Sequence, residues 1–150
     1  MRLDPPFFAL HPGSGSPKKN WPAKKFAELA RRIRDEKCGA PVFSFGEADV
    51  AVGEALARLA PDVPVVRGLD LLDLAGVLST CAGYVGNDSG ITHLAAAQGI
   101  PVVALFGPSD PVAWGPRGEN VRILRADEPT TESLALVEVE KVVASLRSLP

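Results

Sequence analysis

Reactive side chains are scarce in this chain. Among 150 residues there are two cysteines, two histidines, one tyrosine and one methionine. Cys38 and Cys81 form no Cys-x-x-Cys motif, and each lies at or near the end of an expected helix. That pattern points to two buried or half-buried thiols in a reducing cytoplasm. His11 and His93 lack metal-ligand spacing with each other or with carboxylates, so no metal site is expected. No Gly-x-Ser-x-Gly elbow or Cys/His pair suggests covalent catalysis. No apolar run approaches the length of a membrane span. The start, Met1-Arg2-Leu3-Asp4-Pro5-Pro6, lacks the apolar stretch of a signal peptide. A soluble, cytoplasmic protein is the expectation. The formal net charge is −2, without the basic surplus a general nucleic-acid binder needs to displace counterions. Internal repeats, low-complexity tracts and linkers are also missing. The chain starts directly at a strand, so residues 1–150 are expected to form one domain with none before it.

What is present suits a packed α/β domain. Hydrophobic residues make up 46% of the chain, enough for a real core at this length. Short apolar runs alternate with helical patterns. Strands are predicted at Phe7–Leu10, Pro41–Phe45, Val63–Val66, Gly83–Gly86 and Val102–Phe106, with an edge strand at Val121–Leu124. Helices are predicted behind Pro22, from Asp49 to Leu59, after a capping Asp70, from Ile91 to Gln98 and from Val137 to Leu149. The third helix should turn Leu71, Leu74 and Leu78 inward. Gly99, at a C′ position with Pro101 after it, should stop the fourth. Such alternation implies right-handed crossovers and a three-layer parallel sheet covered on both faces. Charge is unevenly placed. Residues 1–37 hold nine of the 16 basic residues but four of the 18 acidic ones. This is either a local positive field or a solvated helix face.

Ligands of open α/β sheets bind outside the carboxyl ends of the strands. Three loops there are unusual. In Gly86-Asn87-Asp88-Ser89-Gly90-Ile91-Thr92-His93 a strand turns into a helix through small residues. The amides of Ser89, Gly90 and Ile91 should point outward with the positive end of the helix dipole, ready for a phosphate or pyrophosphate. His93, four residues after Ser89, should lean back toward that end and donate to an anion. Asp88 would either cap the helix or accept from sugar hydroxyls. The loop His11-Pro12-Gly13-Ser14-Gly15-Ser16-Pro17-Lys18-Lys19-Asn20-Trp21-Pro22 also suits an anion. It is neither a Walker A loop, lacking Gly-Lys-Ser/Thr, nor a dinucleotide fingerprint, lacking the third glycine, which disfavours a dehydrogenase. Within it Lys18 reads as a solvated charge, Trp21 as a packing anchor and His11 as structural. In Gly46-Glu47-Ala48-Asp49 a carboxylate could bind ribose hydroxyls or start a capped helix.

Taken together, His11-Pro12-Gly13 with Lys19-Asn20-Trp21-Pro22, then Gly86 to Ala97, then Phe106-Gly107-Pro108-Ser109-Asp110-Pro111 closely resemble glycosyltransferase family 9. That family contains the lipopolysaccharide heptosyltransferases, and the resemblance runs through nearly the whole chain. It implies the C-terminal, donor-binding half of a GT-B fold, and an inverting, metal-independent transfer from an ADP-heptose-like nucleotide sugar in lipopolysaccharide core biosynthesis. No cofactor is implied. By this resemblance Lys19 neutralises donor phosphate charge, and Ser14 joins the binding loop. Ser89 and Gly90 bind phosphate with His93 in support. Asp88 holds the sugar, Glu47 holds the ribose, and Leu69 lies near the adenine. Family members are about twice as long, with an N-terminal acceptor domain that carries the general base. No catalytic residue is therefore expected in this chain, which should bind donor without turning it over. A lipid-linked saccharide acceptor would place the full enzyme at the inner face of the bacterial inner membrane. The competing readings are a stand-alone nucleotide-binding module and a UDP-sugar epimerase-like GT-B domain.

Overall fold

Strands and helices alternate along the chain as the apolar pattern predicts. The computed structural model describes residues 5–36, 38–126 and 133–150. The elements are β1 (Phe7–His11), α1 (Ala23–Asp35), β2 (Ala40–Ser44), α2 (Val50–Leu59), β3 (Val65–Val66), α3 (Leu71–Ser79) and β4 (Gly83–Asn87). They continue with α4 (Gly90–Ala97), β5 (Val102–Phe106), α5 (Pro111–Trp114), β6 (Val121–Arg125) and α6 (Val139–Ser148).

All strand pairs are parallel, in the order β3-β2-β1-β4-β5-β6. The order reverses between β1 and β4, where Leu10 pairs with Val85 and His11 with Gly86. A ligand crevice belongs outside the carboxyl ends of these two strands, because their following loops diverge to opposite faces of the sheet. Side chains alternate across the sheet with the period of two. Leu10, Phe43, Val85 and Leu105 pack with α1, α2 and α6. Ala9, Val42, Tyr84 and Ala104 pack with α3 and α4. Both faces of β5 are therefore dry, which is why its sequence is an unbroken apolar run. Burying each such Val, Leu or Phe side chain contributes about 1.5–3 kcal/mol.

Gly99 has φ +76° just beyond α4 and ends it, as expected. Trp21 is the anchor its sequence context suggests. It is fully buried, stacks edge-on against Phe26 with centroids 5.0 Å apart, and donates its indole N–H to the Val137 carbonyl at 2.9 Å.

The structure corrects several expectations. Leu71 is 67% exposed and not on the inward face of α3. Asp70 caps this helix by accepting from Asp73 N–H at 2.8 Å, so Leu71 is its first residue. The first turn is exposed, and Leu74 and Leu78 do the covering. β3 is shorter than expected because Pro64 has no N–H and the Val63 N–H closes a turn onto Ala60. The last helix begins at Val139 because the Val137 amide is used by a preceding 3₁₀ turn, Ser133–Leu136. The sequence pattern does not predict α5, a single turn that Asp110 caps by accepting from the Val112 N–H.

Three arginines of the basic stretch are paired with carboxylates near the surface. Arg31 meets Asp35 at 3.0 Å, Arg32 meets Glu36 and Glu140, and Arg34 meets Asp62. The exposed pairs, Arg31–Asp35 and Arg34–Asp62, contribute little, about 0–1 kcal/mol each. Lys18 and Lys19 alone of the nine lie in the loop after β1. Cys38 and Cys81 are both free thiols. Burial pushes the Cys81 thiol up to about 11, which makes it a poor nucleophile at neutral pH. Among the described residues no helix is long and apolar enough to cross a membrane.

Candidate functional site

The crevice at the β1–β4 reversal is assembled by one buried amide. Asn87 ends β4 and is fully buried. Its Oδ1 accepts the Trp21 backbone N–H at 3.0 Å, and its Nδ2 donates to the Pro12 carbonyl at 2.8 Å. The Gly13 carbonyl and Asn20 Oδ1 both lie 3.4 Å from the same Nδ2. The partners fix the amide's orientation, since an N–H must face the oxygen and carbonyls must face the nitrogen. Asn87 thereby pins both ends of the loop after β1 against β4. Ser14 completes the inner side of that loop by donating to Asn20 Oδ1 at 2.6 Å, with the Ser16 carbonyl 2.7 Å from the same hydroxyl. A 3₁₀ turn, Pro17–Lys19, then carries Lys19 across to β4.

Lys19 Nζ stands 3.3 Å from Asp88 Oδ2. The lysine side chain is 39% exposed, whereas that of Asp88 is 11% exposed. Asp88 Oδ2 makes no well-directed hydrogen bond, so Lys19 is held by charge and remains open to a further anion. The alternative of Asp88 as helix cap does not hold. Ser89 occupies the N-cap position of α4, and its hydroxyl accepts from Thr92 N–H at 3.4 Å. Thr92 in turn donates to the Asn87 carbonyl at 2.6 Å and meets the Tyr84 hydroxyl at 2.9 Å. The turn is thus braced from below. Above it, a Cβ placed on Gly90 would meet nothing within 4 Å. Among the described residues no hydrogen-bond acceptor meets the Gly90 and Ile91 amides in the first turn of α4, and Lys19 is held at Asp88, next to that turn.

His93 is exposed one turn along α4, and its Nε2 lies 2.9 Å from the Trp114 carbonyl of α5. A carbonyl only accepts, so Nε2 carries a proton there. The remaining nitrogen, Nδ1, donates to an anion only when the ring is an imidazolium. The expected role is thus compatible with the geometry, but a partner the sequence did not reveal already holds one ring nitrogen. Glu47 and Leu69 lie on the carboxyl-end turns after β2 and β3, both exposed. They flank the same carboxyl-end edge of the sheet as Ser14 and Lys19, and among the described residues neither shares a hydrogen bond or ion pair with Ser14 or Lys19. Among the described residues no three His, Cys, Asp or Glu side chains converge as a metal-holding group.

A second polar cluster lies beneath the crevice. His11 Nδ1 meets Ser44 Oγ at 2.8 Å, and His11 Nε2 lies 3.8 Å from Asp49 Oδ2. All three residues are less than 8% exposed. Membership resembles a nucleophile triad, but the serine is enclosed within β2 where no substrate reaches, so the cluster is structural. Burial holds the His11 imidazole below its ordinary range, against the pull of Asp49. The unfolded chain therefore binds the His11 proton more readily than the folded one. Stability from this residue is complete above the ordinary histidine value of 6.5 and is lost as pH falls below it toward the lower folded value. The expected result is a melting temperature that declines on acidification from near pH 6.5. The slope should approach about 1.4 kcal/mol per pH unit at most, one proton's worth. A His11→Gln chain should lack this component, and an identical acid slope in both would show that His11 does not contribute it.

Sequence reasoning missed Asn87 and Asn20 as organisers of the loop, and missed the link between His93 and α5. The signal for Asn87 was available, since an amide side chain ending an otherwise apolar central strand needs buried partners.

Comparison with known proteins shows the family and the fold. The model of the family described as glycosyltransferase family 9 (heptosyltransferase) matches residues 2–143. The chain is 36% identical over 126 residues to lipopolysaccharide heptosyltransferase 2 of Escherichia coli K12, covering 80% of this chain and 36% of that protein. It is 32% identical over 131 residues to lipooligosaccharide heptosyltransferase 2 of Haemophilus influenzae, covering 82% and 37%. Among solved structures, E. coli ADP-heptose LPS heptosyltransferase II superposes with a TM-score of 0.83 at 29% identity, over 95% of this chain and 46% of that one. An E. coli heptosyltransferase solved with ADP gives 0.82 at 25% identity, over 94% and 43%. The chain spans little more than a third of the length of these curated relatives. The fold is a Rossmann-like half of the GT-B architecture.

Proposed function

Since the chain belongs to glycosyltransferase family 9, we propose that its crevice binds the diphosphate of an ADP-heptose-like nucleotide sugar. In this reading it is the donor-binding domain of an inverting, metal-independent heptosyltransferase of lipopolysaccharide core biosynthesis. The observation that carries it is the open N-terminus of α4 with Lys19 beside it. Amides and dipole there favour an anion, and the lysine adds a full charge at the same place. One structural neighbour is a heptosyltransferase solved with ADP, and another is an ADP-heptose LPS heptosyltransferase, which suits a diphosphate ligand.

Each side chain then has a task. Gly90 and Ile91 amides and the Ser89 hydroxyl bind phosphate oxygens. Lys19 neutralises them, and His93 supports them from the next turn. Ser14 fixes the loop that delivers Lys19. Asp88, already facing Lys19, accepts from a sugar hydroxyl. Glu47 holds the ribose, and Leu69 borders the base. During transfer, negative charge grows on the departing diphosphate. Donors set in place beforehand stabilise that charge without reorganising, which is how such a site accelerates the reaction. The positive charge comes from Lys19 and the helix terminus, so no metal or other cofactor is needed. The general base for the acceptor belongs to a domain outside this chain, which therefore binds donor and does not turn it over. The lipid-linked saccharide acceptor meets that other domain, at the inner face of the membrane.

Calorimetric titration of ADP, UDP and GDP into the chain tests the reading. ADP is expected to bind at least several-fold more tightly than UDP. A preference for UDP would favour an epimerase-like domain instead, and no binding of any of the three would end the nucleotide-sugar reading.

A further inference from the structure

Asp49 uses its carboxylate in a way that helix formation does not explain. It occupies the N-cap position of α2, yet its side chain caps nothing there. Oδ2 instead accepts the Gly46 N–H at 2.7 Å, closing the turn that carries Glu47. Oδ1 lies against the loop after β1 so closely that a Cβ on Gly13 would stand 1.9 Å from it. Oδ2 also faces His11 Nε2 at 3.8 Å, and His11 is itself held by Ser44. The residue is 7% exposed. A carboxylate is costly to bury. This one is placed where two ligand-edge loops meet and touches both.

We propose that Asp49 is a positioning residue that ties the turn after β2 to the loop after β1, setting the distance between Glu47 and the phosphate site. The proposal rests on the nucleotide reading above for what is being positioned. The loop after β1 is then clamped from two sides, by Asn87 of β4 and by Asp49 just ahead of α2. Removing the Asp49 clamp frees the Glu47 turn. Lys19 stays in place, because the adjoining Asn20 and Trp21 remain held by Asn87.

The test compares Asp49→Ala, Asp49→Asn and the unaltered chain, each titrated with ADP and with inorganic pyrophosphate, which has no ribose. Asp49→Ala should weaken ADP roughly tenfold, about one decade of Kd, while pyrophosphate changes less than about twofold. Asp49→Asn, whose amide oxygen still accepts from Gly46, should restore most of the ADP affinity. Amide hydrogen exchange in Asp49→Ala should accelerate at residues 46–49 and 11–15 together, but not in α4. ADP binding unchanged by Asp49→Ala would overturn the proposal, as would equal loss of ADP and pyrophosphate. If the unaltered chain binds neither ligand, the phosphate reading falls. Exchange alone then decides the tie: coupled acceleration of the two loops supports it, while acceleration at neither loop, or throughout the sheet, overturns it.

Discussion

Replacing Asn87 with leucine is expected to lower the melting temperature by roughly 5–15 °C, the equivalent of about 2–5 kcal/mol for a domain of this size. The shape of the side chain is nearly kept, so the effect is not a cavity. It comes from the partners left behind. The Trp21 N–H and the Pro12 carbonyl are bonded to Asn87 at 3.0 and 2.8 Å in a place from which water is shut out. Each buried polar group stranded in this way costs about 1–3 kcal/mol. Asn87→Asp separates the hydrogen-bond account from a packing account. One carboxylate oxygen still accepts from Trp21, but the other now confronts the Pro12 and Gly13 carbonyls. That variant should also lose ADP binding by a larger factor than leucine does, because it sets a second negative charge beside Asp88 and the phosphate site. Thermal melts and ADP titrations of both variants decide the matter. A leucine variant as stable as the parent would mean that the loop after β1 does not depend on this amide.

Lys19→Ala is expected to reduce ADP affinity by roughly 10- to 100-fold, the effect of losing one charge-assisted bond worth about 1.5–3 kcal/mol. The loss should shrink at high salt, since Lys19 is 39% exposed and screening reaches it. Asp88 complicates the measurement usefully. Lys19 is its close cation, so the single variant leaves a nearly buried carboxylate facing the incoming diphosphate. Part of the measured loss is therefore repulsion. Asp88→Asn in the Lys19→Ala background should recover some affinity for ADP, and the double-mutant cycle should give a coupling energy well above zero. If Lys19→Ala binds ADP as tightly as the parent, the lysine has no part in the site, and the anion reading must rest on the helix terminus alone.

Much of the architecture could be read from short-range signals. The bounds of β5 match the apolar run Val102 to Phe106, because a central parallel strand buried on both faces tolerates no polar residue. The end of α4 at Gly99 and the start of α3 after Asp70 follow from local backbone and capping chemistry. The small-residue turn between β4 and α4 was legible for the same reason. What failed locally was the identity of partners. Asp88 and Ser89 are both competent caps, and only the position of Lys19 assigns the first to an ion pair and leaves the second to the helix. Asp49 stands where a cap belongs but serves two loops instead.

Short-range pattern suffices for the alternation of strands and helices, their parallel sense and the small-residue start of α4, because these depend on periodicity and sterics within a few residues. Strand order, the buried amide that pins the loop after β1 to β4, the lysine set against Asp88 and the carbonyl that holds His93 come from packing at long range. Those contacts unite residues far apart in the chain. Their energy comes from satisfying polar groups once water has been removed, a condition that arises only when the whole sheet has packed.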